Sequence, residues 1–196
     1  GNNFQGDPDT YTVDYSTAGQ SLNIVYSDAT KGWIPVSDDA VADVPVAPAI
    51  QRGIFAFGYA GGVVNTRNLV SSSGVVAADA TGAGTARYSM GASTYGGDKA
   101  IFAFGNVSGT ATNLSNLVNN SGVVAADTTG VGTARANFDA TGYGGDKAIF
   151  AYGNTLGGDN YVSMSNLVSS SGVVASDVTG VGLAREELAA CSYGDG

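Results

Sequence analysis

Apolar residues fall along this chain in short alternating runs, without a sustained helical period. Near the start, Tyr11, Val13 and Tyr15 alternate with polar neighbours, and so do Leu22, Ile24 and Tyr26. A period of two marks half-buried strands. Thr17-Ala18-Gly19-Gln20 supplies a hairpin connection between them, and Ser27-Asp28-Ala29-Thr30-Lys31 is turn chemistry. Gly32-Trp33-Ile34-Pro35-Val36 then resumes as a third strand. Trp33 reads as the core anchor of this small sheet, or alternatively as a platform for a sugar ring. Two or three short strands are marginal alone. Residues 1–36 are therefore expected to lean on residues upstream of Gly1, for which a start at Gly rather than Met leaves room, or on another subunit.

Residues 37–50, SDDAVADVPVAPAI, have no clear period, and prolines stiffen them at Val44-Pro45 and Ala47-Pro48. They read as an extended linker. Beyond them, residues 51–196 are one unit copied three times, over 52–97, 98–145 and 146–196. A fixed period of this size marks a repeat architecture. Each copy reads as four short strands. The first is Gly53–Phe57, Ala100–Phe104 or Ala148–Tyr152; in the middle copy the second surrounds Asn116-Leu117-Val118, the third is Val123–Ala126, and the fourth runs from about Ala134 to Tyr143. Leu183 to Ala190 has fair helix propensity, but its counterparts TARYSMGA and TARANFDA do not, so it too is assigned as strand. Asp98-Lys99 and Asp146-Lys147, after Gly-Gly, fit turns connecting one blade to the next.

Composition narrows the picture. Hydrophobic residues reach 43%, much of it Ala and Val, beside 30 glycines, which suits closely packed strands and an all-β fold. The net charge of −9 argues against nucleic acid or an anionic membrane as a partner. No apolar run approaches a membrane span of about 18 residues, and no basic-then-apolar leader opens the chain. With one Cys, Cys191, there is no disulfide framework, and a small buried residue is expected there.

The unit AIFAFG, a variable loop, then SNLVNNSGVVAADTTGVGTAR and YGGD resembles the kelch-like repeats of tailed-phage virion proteins. The stretch YTVDYSTAGQSLNIVYSDATKGWIPV is similar to the C-terminal half of a small β-module of phage tail fibres. The resemblance implies an all-β chain with three four-stranded kelch-like blades, forming part of a β-propeller. It implies a virion location, other virion proteins as partners, and a host-surface carbohydrate as a ligand. Three blades cannot close a ring, and exposed blade edges invite association. A homo-oligomer is expected, with a trimer favoured by the habit of phage fibres, or else further copies beyond Ser192-Tyr193-Gly194-Asp195-Gly196.

Comparing the copies separates two parts. The framework SSSGVVA–D–TG–G–AR hardly changes, whereas the segment after the first strand changes in sequence and length: YAGGVVNTR, NVSGTATNLS, NTLGGDNYVSMS. A constant scaffold with one drifting loop suits recognition, although exposed loops under no constraint drift in the same way. The ligand contacts nominated are Tyr59, Asn65, Arg67, Asn106, Asn113, Asn154, Asp159, Asn160 and Tyr161. In the framework, Asp79, Asp127 and Asp177 each precede Arg87, Arg135 and Arg185 by eight residues. Their threefold recurrence points to a structural pair, or to arginines capping carbonyls between blades.

No His is present, so His-based triads and the usual zinc sites are excluded. Gly82-Ala83-Gly84 and its copies are turns rather than phosphate cradles, and Asp7-Pro8-Asp9 lacks the rest of a calcium loop. Catalytic, cofactor and metal residues are expected to be absent. The carboxylates outside the framework, Asp139, Asp159, Glu186 and Glu187, leave a carbohydrate depolymerase as the less favoured alternative. A purely architectural virion decoration or collar protein is the other.

Overall fold

The computed structural model describes residues 23–37 and 52–194. The expected strands around Tyr11–Tyr15, the Thr17–Gln20 connection, Asp7-Pro8-Asp9 and nearly all of the linker lie outside the described residues. The chain divides into two compact units, Gly1–Ile50 and Gln51–Gly196. All described regular structure is β-strand, and every ladder is antiparallel.

In the first unit, β1 (Asn23–Asp28) pairs with β2 (Gly32–Ser37). The turn between them closes on Asp28, whose Oδ1 accepts the amides of Thr30 and Lys31 at 2.8 and 2.7 Å. Trp33 stacks edge-on against Tyr26 at 5.5 Å but stays 38% exposed, so it is not the buried anchor expected from the sequence. Among the described residues the ribbon has no second layer to cover it.

The second unit contains three principal sheets. The first joins β3 (Gly53–Tyr59), β4 (Val63–Val70) and β5 (Ala80–Thr81). β6 (Gly91–Tyr95) and β7 (Lys99–Ala103) form a hairpin extended by β10 (Ser115–Val118), after the small β8–β9 hairpin (Asn106–Val107, Thr110–Ala111). β11 (Asp139–Tyr143), β12 (Lys147–Ala151) and β13 (Ser165–Val168) repeat the arrangement. The sheets therefore straddle the sequence repeats. Asp98-Lys99 and Asp146-Lys147 do not connect blades; they close the β6–β7 and β11–β12 hairpins within one sheet. The expected third strand is reduced to a single bridge, Val118 to Val124, flanked by the bond from Ala125 N to Leu117 O at 2.8 Å. Residues 183–190 have no strand partner, which corrects the strand assigned there, and Cys191 is exposed rather than buried.

The apolar runs of β3, β7 and β12 are nearly continuous because successive residues face different neighbours. Phe102, Val118 and Val124 pack back against Ile54, Ala56 and Phe57 of the preceding sheet and against Met90 in the connection before β6. Ile101, Ala103 and Phe104 pack forward with Phe138, Phe150 and Val168. The core is thus a series of layers between consecutive sheets, and the middle sheet is buried on both faces. Among the described residues no sheet closes on itself, and no helix is long and apolar enough to cross a membrane.

Candidate functional site: the arginine junctions and the loop ends

Within β3, and just after β7 and β12, stands an aromatic with left-handed backbone: Phe57 at φ 65°, Phe104 at 62° and Tyr152 at 67°. This is a strained conformation for a bulky residue. At Phe57 the ladder slips by one residue, the sign of a bulge. The bulge sets the ring beneath the framework arginine of its own repeat. Arg87 lies 4.5 Å over Phe57, Arg135 4.3 Å over Phe104, and Arg185 3.8 Å over Tyr152. These are cation–π distances.

From that platform the guanidinium reaches into the next repeat. Arg87 is fully buried; its Nε donates to Phe104 O at 2.8 Å and Nη2 donates to Asn116 Oδ1 at 2.6 Å. Nη1 lies 3.7 Å from Asp127 Oδ1. Asp127 also accepts the amide and hydroxyl of Thr85 at 2.9 and 2.7 Å, and Asn116 Nδ2 at 3.0 Å. Arg135 repeats the scheme with Tyr152 O at 2.9 Å and Phe150 O at 3.3 Å. Thr133 repeats it with Asp177, through its amide at 3.0 Å and hydroxyl at 2.7 Å. One bond differs: among the described residues the buried Asn166 Oδ1 has no partner.

The spacing of eight therefore does not pair residues. Arg87 meets Asp127, not Asp79, and Arg135 faces Asp177, not Asp127. Arg87 and Arg135 lie in the connections leading from one sheet into the next, stacked on Phe57 and Phe104, and so face the following repeat. Within a repeat each Asp is held by an Asn of the second strand, as in Asn68–Asp79 at 2.8 Å, Asn116–Asp127 at 3.0 Å and Asn166–Asp177 at 2.9 Å. Burial pushes the Arg87 and Arg135 guanidinium groups down to about 10, against the opposing attraction of Asp127 and Asp177. Burial alone would raise both carboxyls, but the Thr and Asn hydrogen bonds and the arginine charge outweigh it and hold them below 3.8.

The glycine of TGAG and TGVG before each Arg has a steric reason. A Cβ on Gly132, at φ 93°, would lie 2.5 Å from Asn166 Nδ2 and 2.6 Å from Asp177 Oδ1. Only a backbone without a side chain can pass so close to the Asn–Asp pair of the next repeat.

The variable loops emerge after β3, β7 and β12, and most nominated polar groups there are already engaged. Asn65 Nδ2 donates to the carbonyls of Gly82 and Gly84 at 3.1 and 3.2 Å, and Asn113 Nδ2 to Gly132 O at 2.9 Å. Arg67 Nη1 binds Gly122 O at 2.6 Å, across to the second repeat. Asn106 and Asn154 are buried, accepting the amides of Gly109 at 2.6 Å and Leu156 at 2.7 Å. Exposed side chains remain at Tyr59, tilted against Tyr88 at 5.5 Å, and at Asp159, Asn160 and Tyr161. Tyr161 Oη donates to Asp159 at 3.1 Å, a bond that raises its phenol. Two of the depolymerase carboxylates have hydrogen-bond partners outside the loop, Asp139 accepting Ala190 N and Glu186 accepting Asn137 Nδ2, both at 2.8 Å, while the charges of Glu186 and Glu187 join Asp159 in raising Tyr161. Among the described residues no group of three or more His, Cys, Asp or Glu could hold a metal ion.

Sequence reasoning missed Asn68, Asn116 and Asn166. Their signal was present, since the Asn of NLV stands in every copy of the framework. No protein-family model and no curated protein sequence matches the chain.

Proposed function

We propose that the chain is a non-enzymatic structural component of a tailed-phage virion, with its repeated sheets serving as propeller blades. One observation carries this reading. The recurring polar residues, Arg, Asn, Asp and Thr, are spent on joining consecutive sheets. A framework used up in this way builds a body rather than a reaction centre. The resemblance of the repeat to kelch-like units and of the first unit to a tail-fibre module, with the acidic composition, supports a proposed position at the surface of a particle.

The engagement of Asn106 and Asn154 within their own loops, of Asn65 and Asn113 with the glycine turns of their repeats, and of Arg67 with Gly122 of the next repeat favours the architectural role over recognition. Within the same reading, a host-surface carbohydrate is left with Tyr59, Asp159, Asn160 and Tyr161. Two tyrosines with an Asp and an Asn suit stacking and hydrogen bonding to a sugar. Immunogold labelling with antibody against this chain tests the assignment. Label is expected on tailed particles released from cells that express the chain, and label confined to unassembled protein overturns it.

A further inference from the structure

The two ends of the repeat array carry opposite halves of the junction that occurs twice inside it. At the head, Asn68 and Asp79 hold each other but receive no arginine and no threonine among the described residues. Phe55 is 65% exposed, where its counterparts Phe102 and Phe150 are 5% and 0% exposed. Val76 is 54% exposed against 5% for Val124. A Cβ on Gly74 would meet nothing within 4 Å, whereas one on Gly122 would touch Leu69, and one on Gly172 would touch Leu117 and Tyr95.

The tail carries what the head lacks. Arg185 rests on Tyr152 and, among the described residues, donates only to Leu183 O, at 3.2 Å. Gly182 has the left-handed φ of 85° that Gly132 uses to approach an Asn–Asp pair, yet a Cβ there would meet only Tyr152 Oη, at 3.7 Å. Leu167 and Tyr143, equivalent to the Leu117 and Tyr95 that pack on Gly172, are exposed. Val181 and Leu183 are 83% and 80% exposed. The edge strands are matched as well. β7 and β12 are each flanked by a strand, β6 and β11, on the side where β3 has none among the described residues. Residues Ala189–Tyr193, which stand where Gly91–Tyr95 and Asp139–Tyr143 stand in the other copies, have no strand partner.

We infer that a second copy of this chain docks head to tail on the first. Arg185 of one copy seats between Asn68 and Asp79 of the other. Ala189–Tyr193 adds to the edge of β3 that has no partner among the described residues, with Ala189 opposite Ala56 as Gly91 is opposite Ala103. The surfaces are complementary because the same two faces already meet at both internal junctions, with an arginine on one side and a carboxylate on the other. Such a contact is heterologous, so it must close into a ring or grow into a filament. Two copies supply six principal sheets, within the range of about four to eight blades of known propellers, while one copy supplies three. The ring rests on the propeller reading above; the junction stands apart from the virion assignment, and its test reads mass rather than particle membership.

The test is sedimentation of the 196-residue chain at micromolar concentrations, alone and with charge reversals at the two exposed ends. A two-copy particle is expected. Asp79→Lys and Arg185→Glu each raise its dissociation constant by more than about tenfold, and mixing the two variants restores the particle. Circular dichroism checks that each variant stays folded, and Asp79→Asn with Arg185→Gln replaces the pair if a reversal does not. A monomer at about 100 μM, a particle of any other copy number, or a two-copy particle that survives both substitutions overturns the inference.

Discussion

Arg87 and Asp127 belong to different repeats, yet Nη1 and Oδ1 stand 3.7 Å apart, with the guanidinium buried and the carboxylate a quarter exposed. Neither residue is explained by its own sheet. Arg87 is aimed by the strained Phe57 beneath it, and Asp127 is held by Asn116 beside it. The pair makes consecutive repeats interdependent, and it ties the fold to the sequence framework that recurs in every copy.

The guanidinium fork should not be replaceable by an ammonium. Arg87 bonds two backbone carbonyls within 3.1 Å, Phe104 O and Thr85 O, and the Asn116 amide oxygen. Lys has one donor centre and cannot span these acceptors. Arg87→Lys should cost about 3 kcal/mol, the scale of breaking a buried charged pair. Urea unfolding measures it, and an unchanged midpoint would show that the junction holds without the fork.

Acid should loosen the same junctions. Asp127 and Asp177 are held below the ordinary 3.8, so the unfolded chain takes up protons first as pH falls. Their contribution is complete above that ordinary value and disappears as pH drops through the lower folded values. Arg87 and Arg135 act in the same sense at the alkaline end: burial lowers them to about 10 in the folded chain, so above that pH the unfolded chain holds the extra proton and these groups do not weaken the fold as alkali is added. Asp127→Asn should flatten the acid limb of a stability-against-pH profile; a limb of unchanged steepness assigns acid sensitivity elsewhere.

The recurring first strand was legible because β3, β7 and β12 carry copies of one nearly continuous apolar run. The division into sheets was not. The Gly-Gly-Asp turn looks the same whether it joins sheets or strands, and only the pairing of Tyr95 with Lys99 decides it. The Asp–Arg spacing of eight suggested a local pair, but a left-handed aromatic in a bulge cannot be seen in residue types, and Arg87, stacked on that residue, faces the next repeat. Asn106 and Asn154 looked like ligand contacts because polar loop residues do; their burial follows from loop closure, which the spacing of Gly109 and Gly158 only hints at.

One substitution at equivalent glycines should give unequal results. Gly132→Ala meets Asn166 and Asp177 at 2.5 and 2.6 Å, besides an unfavourable φ of 93°, and should cost about 2–4 kcal/mol. Gly182→Ala carries the same type of backbone strain at φ 85° without the collision. It should cost about 1 kcal/mol in the isolated copy and act chiefly on association. Thermal unfolding and sedimentation of the two variants separate these effects, and equal losses of stability would contradict the close approach.

Carbohydrate recognition, where present, should map to few side chains. Tyr59→Ala and Tyr161→Ala remove exposed rings and should abolish glycan-array binding while leaving the melting temperature within a few degrees. Asn154→Ala should do the reverse, since its oxygen and nitrogen hold Leu156 N and Gly158 O. Binding that survives both tyrosine changes sends the contact elsewhere, and a wild-type chain without glycan binding leaves the architectural role alone.

The tail of the array departs from the framework at one position, and that departure gives the sharpest test of how the ends meet. Thr85 and Thr133 each donate a hydroxyl at 2.7 Å to the Asp of the following repeat. The equivalent residue at the tail is Leu183, which has no hydroxyl and is exposed. A head-to-tail contact through Arg185 would therefore lack one charge-assisted bond that both internal junctions possess. Restoring it with Leu183→Thr should tighten the closed two-copy particle, which has two such junctions, by about a hundredfold or more, because a hydrogen bond to a charged group is worth roughly 1.5–3 kcal/mol at each. The stability of the single copy should stay the same, since Leu183 touches no carboxylate there. Concentration-dependent sedimentation of Leu183→Thr measures the gain. The gain should vanish in the double variant Leu183→Thr, Asp79→Asn, because the hydroxyl then has no ionised acceptor across the junction.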